Sequence, residues 1–165
     1  MQRILSWACV AVALAVLPAR AETYRFEDAH LRFDKPDGWH AEERHEQERR
    51  VLHLDQTDEH IQLTAFRVDA DDLDGAYHGL RHELERFIHD IRDESEPRHT
   101  ERHDLRRIEI EGKGKIEDRE VEWMACLVGV EHPVLFLAFG HHDALDGHRG
   151  EVHGIFESIE RDHEH

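Results

Sequence analysis

The run Val134-Leu-Phe-Leu-Ala-Phe139 has six consecutive apolar residues, opened by Pro133 and closed by Gly140. A strand wet on one side alternates polar and apolar residues. This run has no polar residue to offer water on either side, so it reads as a central strand covered above and below. Trp123 to Val128 is apolar on both sides of its alternation as well. A chain carrying two such segments needs other layers packed over its sheet.

The 165 residues are enough for one domain with a real core. The N-terminus reads as separate from it. Arg3 supplies a positive charge, Ile4 to Leu17 is an apolar stretch, and Pro18-Ala-Arg-Ala21 places small residues where a signal peptidase reads. Residues 1–21 are therefore expected to be a signal peptide cleaved after Ala21. The apolar run is short for a membrane span, and no stop-transfer pattern follows it. Residues 22–165 are expected to form a single exported, soluble domain in a periplasm, ending in a short frayed tail around His163 and His165. Cys9 would leave with the signal. Cys126 alone would remain, so packing rather than a disulfide must hold the fold.

Charge narrows the partners. The formal net charge is −17, and losing Arg3 and Arg20 takes it to −19. Such a surface repels nucleic acid and anionic membranes, so neither is expected as a partner. Lys35, Lys113 and Lys115 are the three lysines, and arginine carries nearly all the positive charge. An acidic surface of this kind is also what a salty medium favours, since salt screens its self-repulsion.

Along the chain, Tyr24 to Phe33 reads as a short hairpin around Asp28-Ala-His30, followed by a turn at Asp34 to Gly38. Trp39 opens a polar strand, and Glu42 to Arg50 is charged and expected to be solvated. Val51 to Leu54 and Ile61 to Val68 read as strands joined by a turn at Gln56 to Glu59. The acidic Asp69 to Asp74 fails the calcium-loop spacing, which would put Ala70 first and Arg81 twelfth. Capping of the following helix by Asp72 or Asp74 explains it better.

That helix is predicted over Leu73 to Arg92, with Tyr77, Leu80, Leu84, Phe87, Ile88 and Ile91 as one apolar stripe. Arg98 to Asp104 reads as irregular. Leu105 to Glu111 reads as a strand broken at Gly112-Lys-Gly114, and Ile116 to Val128 as a further long strand. Glu131-His-Pro133 turns the chain into the central strand. A last helix is predicted to about Arg161, with Leu145, Val152, Ile155, Phe156 and Ile159 as its stripe.

The residues Phe33-x-x-Pro36-x-Gly38-Trp39, the glycines Gly112 and Gly114 in the later sheet, and Ile155-Phe156-x-Ser158-Ile159 resemble the PsbP-like family, which includes periplasmic proteins of the DcrB type. The order of elements from Tyr24 to Ile159 carries most of the likeness. The resemblance implies an α+β fold: an antiparallel sheet with helices on both faces, an α/β/α sandwich. It also implies a non-enzymatic accessory or binding domain that acts through a protein partner, and it supplies no catalytic set.

The distinctive chemistry is seventeen histidines, all after residue 21. Histidine titrates near neutral pH and is the commonest metal ligand. On the predicted first helix His78, His82, Glu85 and His89 fall about 80–140° round from the stripe, on one flank. His78 and His82 are an i, i+4 pair able to reach one ion, while His89 lies about 10 Å further along the axis. His141, His142, Asp143 and His148 form a second cluster. The alternative reading is therefore a histidine-based binder of Zn²⁺, Cu²⁺ or Ni²⁺, or a pH-responsive protein changing its stability or association around pH 6 to 7. No other cofactor is called for.

Catalytic patterns fail on inspection. His82-Glu-Leu-Glu-Arg86 and His45-Glu-Gln-Glu-Arg49 have arginine where a zinc protease motif needs its second histidine. Neither Ser95 nor Ser158 sits in a nucleophile elbow. Cys126 alternates with Met124 and Val128 in a doubly apolar strand and reads as a buried, inert thiol.

Overall fold

The computed structural model describes residues 21–46, 48–56 and 60–163. The expected signal segment before Ala21, most of the turn expected over Gln56 to Glu59, and His165 lie outside the described residues. In chain order the strands are β1 (Glu22–Phe26), β2 (Leu31–Lys35), β3 (Trp39–Glu46), β4 (Arg49–Gln56) and β5 (Ile61–Arg67). Helix α1 (Leu73–Leu84) follows. Then come β6 (His89–Arg92), β7 (Arg98–Arg102), β8 (Leu105–Ile116), β9 (Arg119–Val128), β10 (Val134–Gly140), helix α2 (His142–Ser158) and β11 (Glu160–Arg161).

The main sheet is antiparallel and ordered β3-β4-β5-β10-β9-β8-β6, with β7 also pairing with β8. A small sheet runs β1-β2-β11. β10 lies between β5 and β9, as its unbroken apolar run requires. Val134 to Ala138 are fully buried. Successive strand residues point to opposite sides, and the core divides accordingly. Val134, Phe136 and Ala138 join a cluster with Leu145, Val152, Ile155 and Phe156 of α2 and with Phe26, Leu31 and Phe33 of the small sheet. Leu135 and Leu137 join a second cluster with Leu73, Ala76, Leu80 and Leu84 of α1.

Several local expectations hold for physical reasons. β1 and β2 form the N-terminal hairpin around a single 3-10 turn, Glu27–Ala29. Asp72 caps α1, its carboxylate accepting from the Gly75 N–H at 2.7 Å. Cys126 is fully buried. Burial pushes its thiol well above the ordinary range, which leaves no thiolate to react.

The structure corrects other boundaries. The first helix stops at Leu84, not Arg92, and His89 to Arg92 pair with Lys115 and Lys113 at the edge of β8. The apolar spacing continues past Leu84, but Ile88 is drawn into the core where Gly114 leaves room. A Cβ on Gly114 would collide with Ile88 Cγ2 and sit 2.8 Å from the His89 carbonyl. Asp90, at φ 51°, accompanies the register shift in this pairing.

Gly112 and Gly114 therefore do not break a strand. β8 runs straight through them, because they make room for Trp123 and Ile88. The break comes instead at Glu117 and Asp118, both at positive φ, between Ile116 and its partner Arg119. That is the left-handed geometry of a tight two-residue hairpin. Arg98 to Arg102 is a strand rather than an irregular segment, while Glu42 to Glu46 continue β3 in a charged edge hairpin. The last helix ends at Ser158, and Glu160–Arg161 turn back to pair with β2.

Candidate functional site: a charged trench beside the second helix

α2 packs on β9, β10 and β2, and the small sheet shares a core with β3, β4 and β5 on the same side, which leaves β8 at the other end, beside the helix. In the β8–β9 ladder Glu109 faces Cys126, Glu111 faces Met124, and Lys113 faces Glu122. Cross-strand partners share a side, so these residues form the floor of a trench. One wall is α2, with His142, Arg149 and His153. The other is the segment from Asp93 to Arg98. Ser95 stitches that segment to β8: its N–H donates to the Glu111 carbonyl at 2.8 Å, and its Oγ accepts from the Glu111 N–H at 3.1 Å.

Two cavities lie along the trench. The larger, about 350 Å³, is lined by Ser95, Arg98, Glu109, Glu111, Arg149 and His153, and by the apolar Met124 and Phe156. The second, about 320 Å³, is lined by Arg92, Lys113, Glu120, Glu122, His141 and His142. A smaller space bounded by Asp93, Ser95, Glu111, Glu122 and Arg149 joins them.

The electrostatics follow from two carboxylates in unusual places. Glu109 and Glu122 are only 9% and 8% exposed, and a buried carboxylate is costly unless paired and hydrogen-bonded. Glu122 has three partners: His142 Nδ1 at 2.9 Å, Lys113 Nζ at 3.4 Å and Arg149 Nη2 at 3.3 Å. Glu109 accepts from Arg98 Nη2, and its second neighbour, His153 Nδ1, is 3.8 Å away. The hydrogen bond and charge of Glu109 raise the Arg98 guanidinium further above its usual value. Arg149 bridges the trench, donating to Glu111 and Glu122 and lying 3.6 Å from Asp146 on its own helix. At the far end Lys115 hydrogen-bonds Asp90 and holds its carboxyl below the usual range.

The histidine clusters are redistributed. His78 and His82 are exposed on α1, and Glu85 is its C-cap residue. His89 lies in β6, so the four do not share a helix flank, because that helix ends at Leu84, five residues before it. His141 is the residue preceding α2, and it lines the second cavity with His142. Asp143 is exposed in the first turn of α2. His148 turns elsewhere and shares Glu151 with Trp39: His148 Nδ1 is 3.0 Å and Trp39 Nε1 2.7 Å from the same carboxylate oxygen. Among the described residues no three His, Cys, Asp or Glu side chains converge as a metal site would require.

Glu109, Glu122, Arg98, Arg149 and His153 are not singled out by spacing. Ile108-Glu109-Ile110-Glu111 reads as an ordinary half-wet strand. The available signal was that its neighbour, Trp123 to Val128, is apolar on both sides, so an acid opposite it would be partly enclosed.

An antiparallel sheet with two helices and a small N-terminal hairpin defines the PsbP-like fold class. Within it, the solution structure of the cyanobacterial PsbP protein CyanoP from Synechocystis sp. PCC 6803 superposes with TM-score 0.59 at 12% identity, covering 94% of this chain and 98% of that one. A crystal structure of PA94, a Pseudomonas aeruginosa protein of unknown function suggested to be a regulator, superposes with TM-score 0.51 at 12% identity. It covers 81% of this chain and 91% of that one. No protein-family model and no curated protein matches the chain. At this identity the likeness shows the fold.

Proposed function

We propose that this chain is an exported, periplasmic accessory domain with an α/β/α layering of the PsbP and DcrB kind, which acts by binding a protein partner rather than by catalysis. The observation that carries the reading is the trench: two buried carboxylates and four permanent cations line one continuous surface beside α2. Opposed charges of this density give partner choice and orientation more than raw affinity. The fold neighbours support the architecture in this reading. The test is affinity capture from a periplasmic extract with the tagged mature chain and with Arg149→Glu, after thermal melting confirms that the variant folds. A protein retained by the wild type and lost with the variant supports the trench as the binding surface. Equal retention by both, or no retained protein, counts against it.

A second reading has its own observation. The His78 ring bonds through Nδ1 to the Asp74 carbonyl at 2.6 Å, which makes Nδ1 the donor and leaves the Nε2 lone pair for a metal, with His82 one turn on. We expect weak, reversible Zn²⁺ or Cu²⁺ binding there. Calorimetry with wild type and His78→Ala/His82→Ala checks it; heats unchanged by the double substitution would remove this site.

A further inference from the structure

We infer that the occupant of the larger cavity is a lysine or arginine side chain from a basic segment of the partner, an inference that rests on the trench being the binding surface.

Three features of the cavity point the same way. The first is incomplete pairing. An ionised carboxylate can accept about four hydrogen bonds, yet Glu109 is nine-tenths buried with one guanidinium bonded to it and an imidazole at 3.8 Å. Glu109 lines the cavity, and its remaining lone pairs are open to a further cation. The second is local charge. Glu96, Glu109 and Glu111 line this cavity against Arg98 and Arg149, with His153 beside them. With the imidazole neutral the balance is one negative charge, so an incoming cation completes it and an incoming anion worsens it. The third is shape. Met124 of the floor and Phe156 of α2 also line this cavity. A side chain that binds here needs an apolar stem and a charged tip, which is what lysine and arginine supply. The overall charge of −17 draws such a segment toward the molecule, but that attraction selects no place on it. The cavity does.

The test uses acetyl-Ala-Lys-Ala-amide as probe, titrated into the folded mature chain at about 0.15 M salt, where the Debye length is about 8 Å. Nuclear magnetic resonance is the readout. A peptide with norleucine in place of lysine keeps the stem and removes the charge. The expected result is saturable shifts at the Met124 methyl and at the amides of Glu109 and Glu111, absent with the norleucine peptide. Glu109→Gln and Glu111→Gln should each weaken binding about tenfold, the worth of a charge-assisted contact of about 1.4 kcal/mol. Asp37→Asn, which removes one exposed charge from the turn before β3, should leave it unchanged. Glu111 is half-exposed, so its variant keeps the comparison valid if Glu109→Gln unfolds.

Unsaturable shifts spread over the surface, or equal weakening by Asp37→Asn, overturn the inference in favour of general attraction to an acidic protein. Absence of binding by the lysine peptide also overturns it. If Arg149→Glu nonetheless abolishes partner capture, the trench still binds the partner and only the basic occupant is wrong. If both experiments fail, the trench reading falls with it.

Discussion

Arg107 is 2% exposed, the most deeply placed charge among the described residues. Its guanidinium donates to the carbonyls of Phe156 at 2.6 Å and Glu157 at 3.3 Å, and to that of Ile159. These groups end α2, where the last carbonyls have no partner within the helix. Burial pushes the guanidinium below its usual value, but arginine stays protonated in proteins, so a charged fork closes the helix from the strand beneath it. Replacing it with leucine keeps volume and orphans those carbonyls. Arg107→Leu should lower unfolding free energy by about 2–4 kcal/mol in urea titrations; a change under about 0.5 kcal/mol would show that water replaces the fork.

Tyr24 gives a pH signature at the same scale. Its hydroxyl donates to Glu43 at 3.3 Å. Burial first, and the Glu43 charge second, raise the phenol to about 12. The unfolded phenol loses its proton near 10, so between about 10 and 12 the folded state binds more protons and stability must fall as pH rises. Below 10 the contribution is fully present. Denaturation midpoints at pH 9 and 11 should therefore drop more in wild type than in Tyr24→Phe. Equal drops would mean that Tyr24 is not the group responsible.

At the scale of elements, the boundary of α1 is the instructive case. Leu84, Phe87, Ile88 and Ile91 satisfy helical spacing, but the helix ends at Leu84 and the open edge of β8 takes His89 to Arg92 as a strand. Gly114 is the residue that permits it. Gly114→Ala should cost about 1–3 kcal/mol through overpacking against Ile88 and the His89 carbonyl. Gly79→Ala, in α1 with open space around its Cβ, should instead be neutral or stabilising. Thermal melts of both variants check the pair, and a stable Gly114→Ala would show that β6 shifts freely along β8. The same diversion accounts for the lost histidine flank. No local rule distinguishes two further helical turns from an edge strand when either would bury Ile88.

For the whole molecule, charge is the dominant variable. Ion pairs cover the surface, among them Arg32–Glu160 at 2.7 Å and Arg81–Glu94 at 2.5 Å. Exposed pairs of this kind contribute about 0–1 kcal/mol each, and salt weakens them. The uncompensated excess of −17 acts against the compact state, and salt weakens that as well. The excess should win, so melting temperature should rise as sodium chloride goes from about 0.01 M to about 1 M, where the Debye length shrinks from about 30 to 3 Å. A falling melting temperature would show that the pairs matter more than the repulsion.

The alternation patterns, the apolar run at Val134–Phe139, the Asp72 cap and the burial of Cys126 were determined locally, because each depends on a residue and its near neighbours in the chain. The trench was not. Glu109 and Glu122 become buried acids only when β8 pairs with β9 and α2 lies beside them, and Arg149, His142 and His153 reach them from more than 19 residues away in sequence. Desolvation and charge pairing depend on what surrounds a side chain in space, and in this molecule that surrounding was supplied by pairing across the sheet.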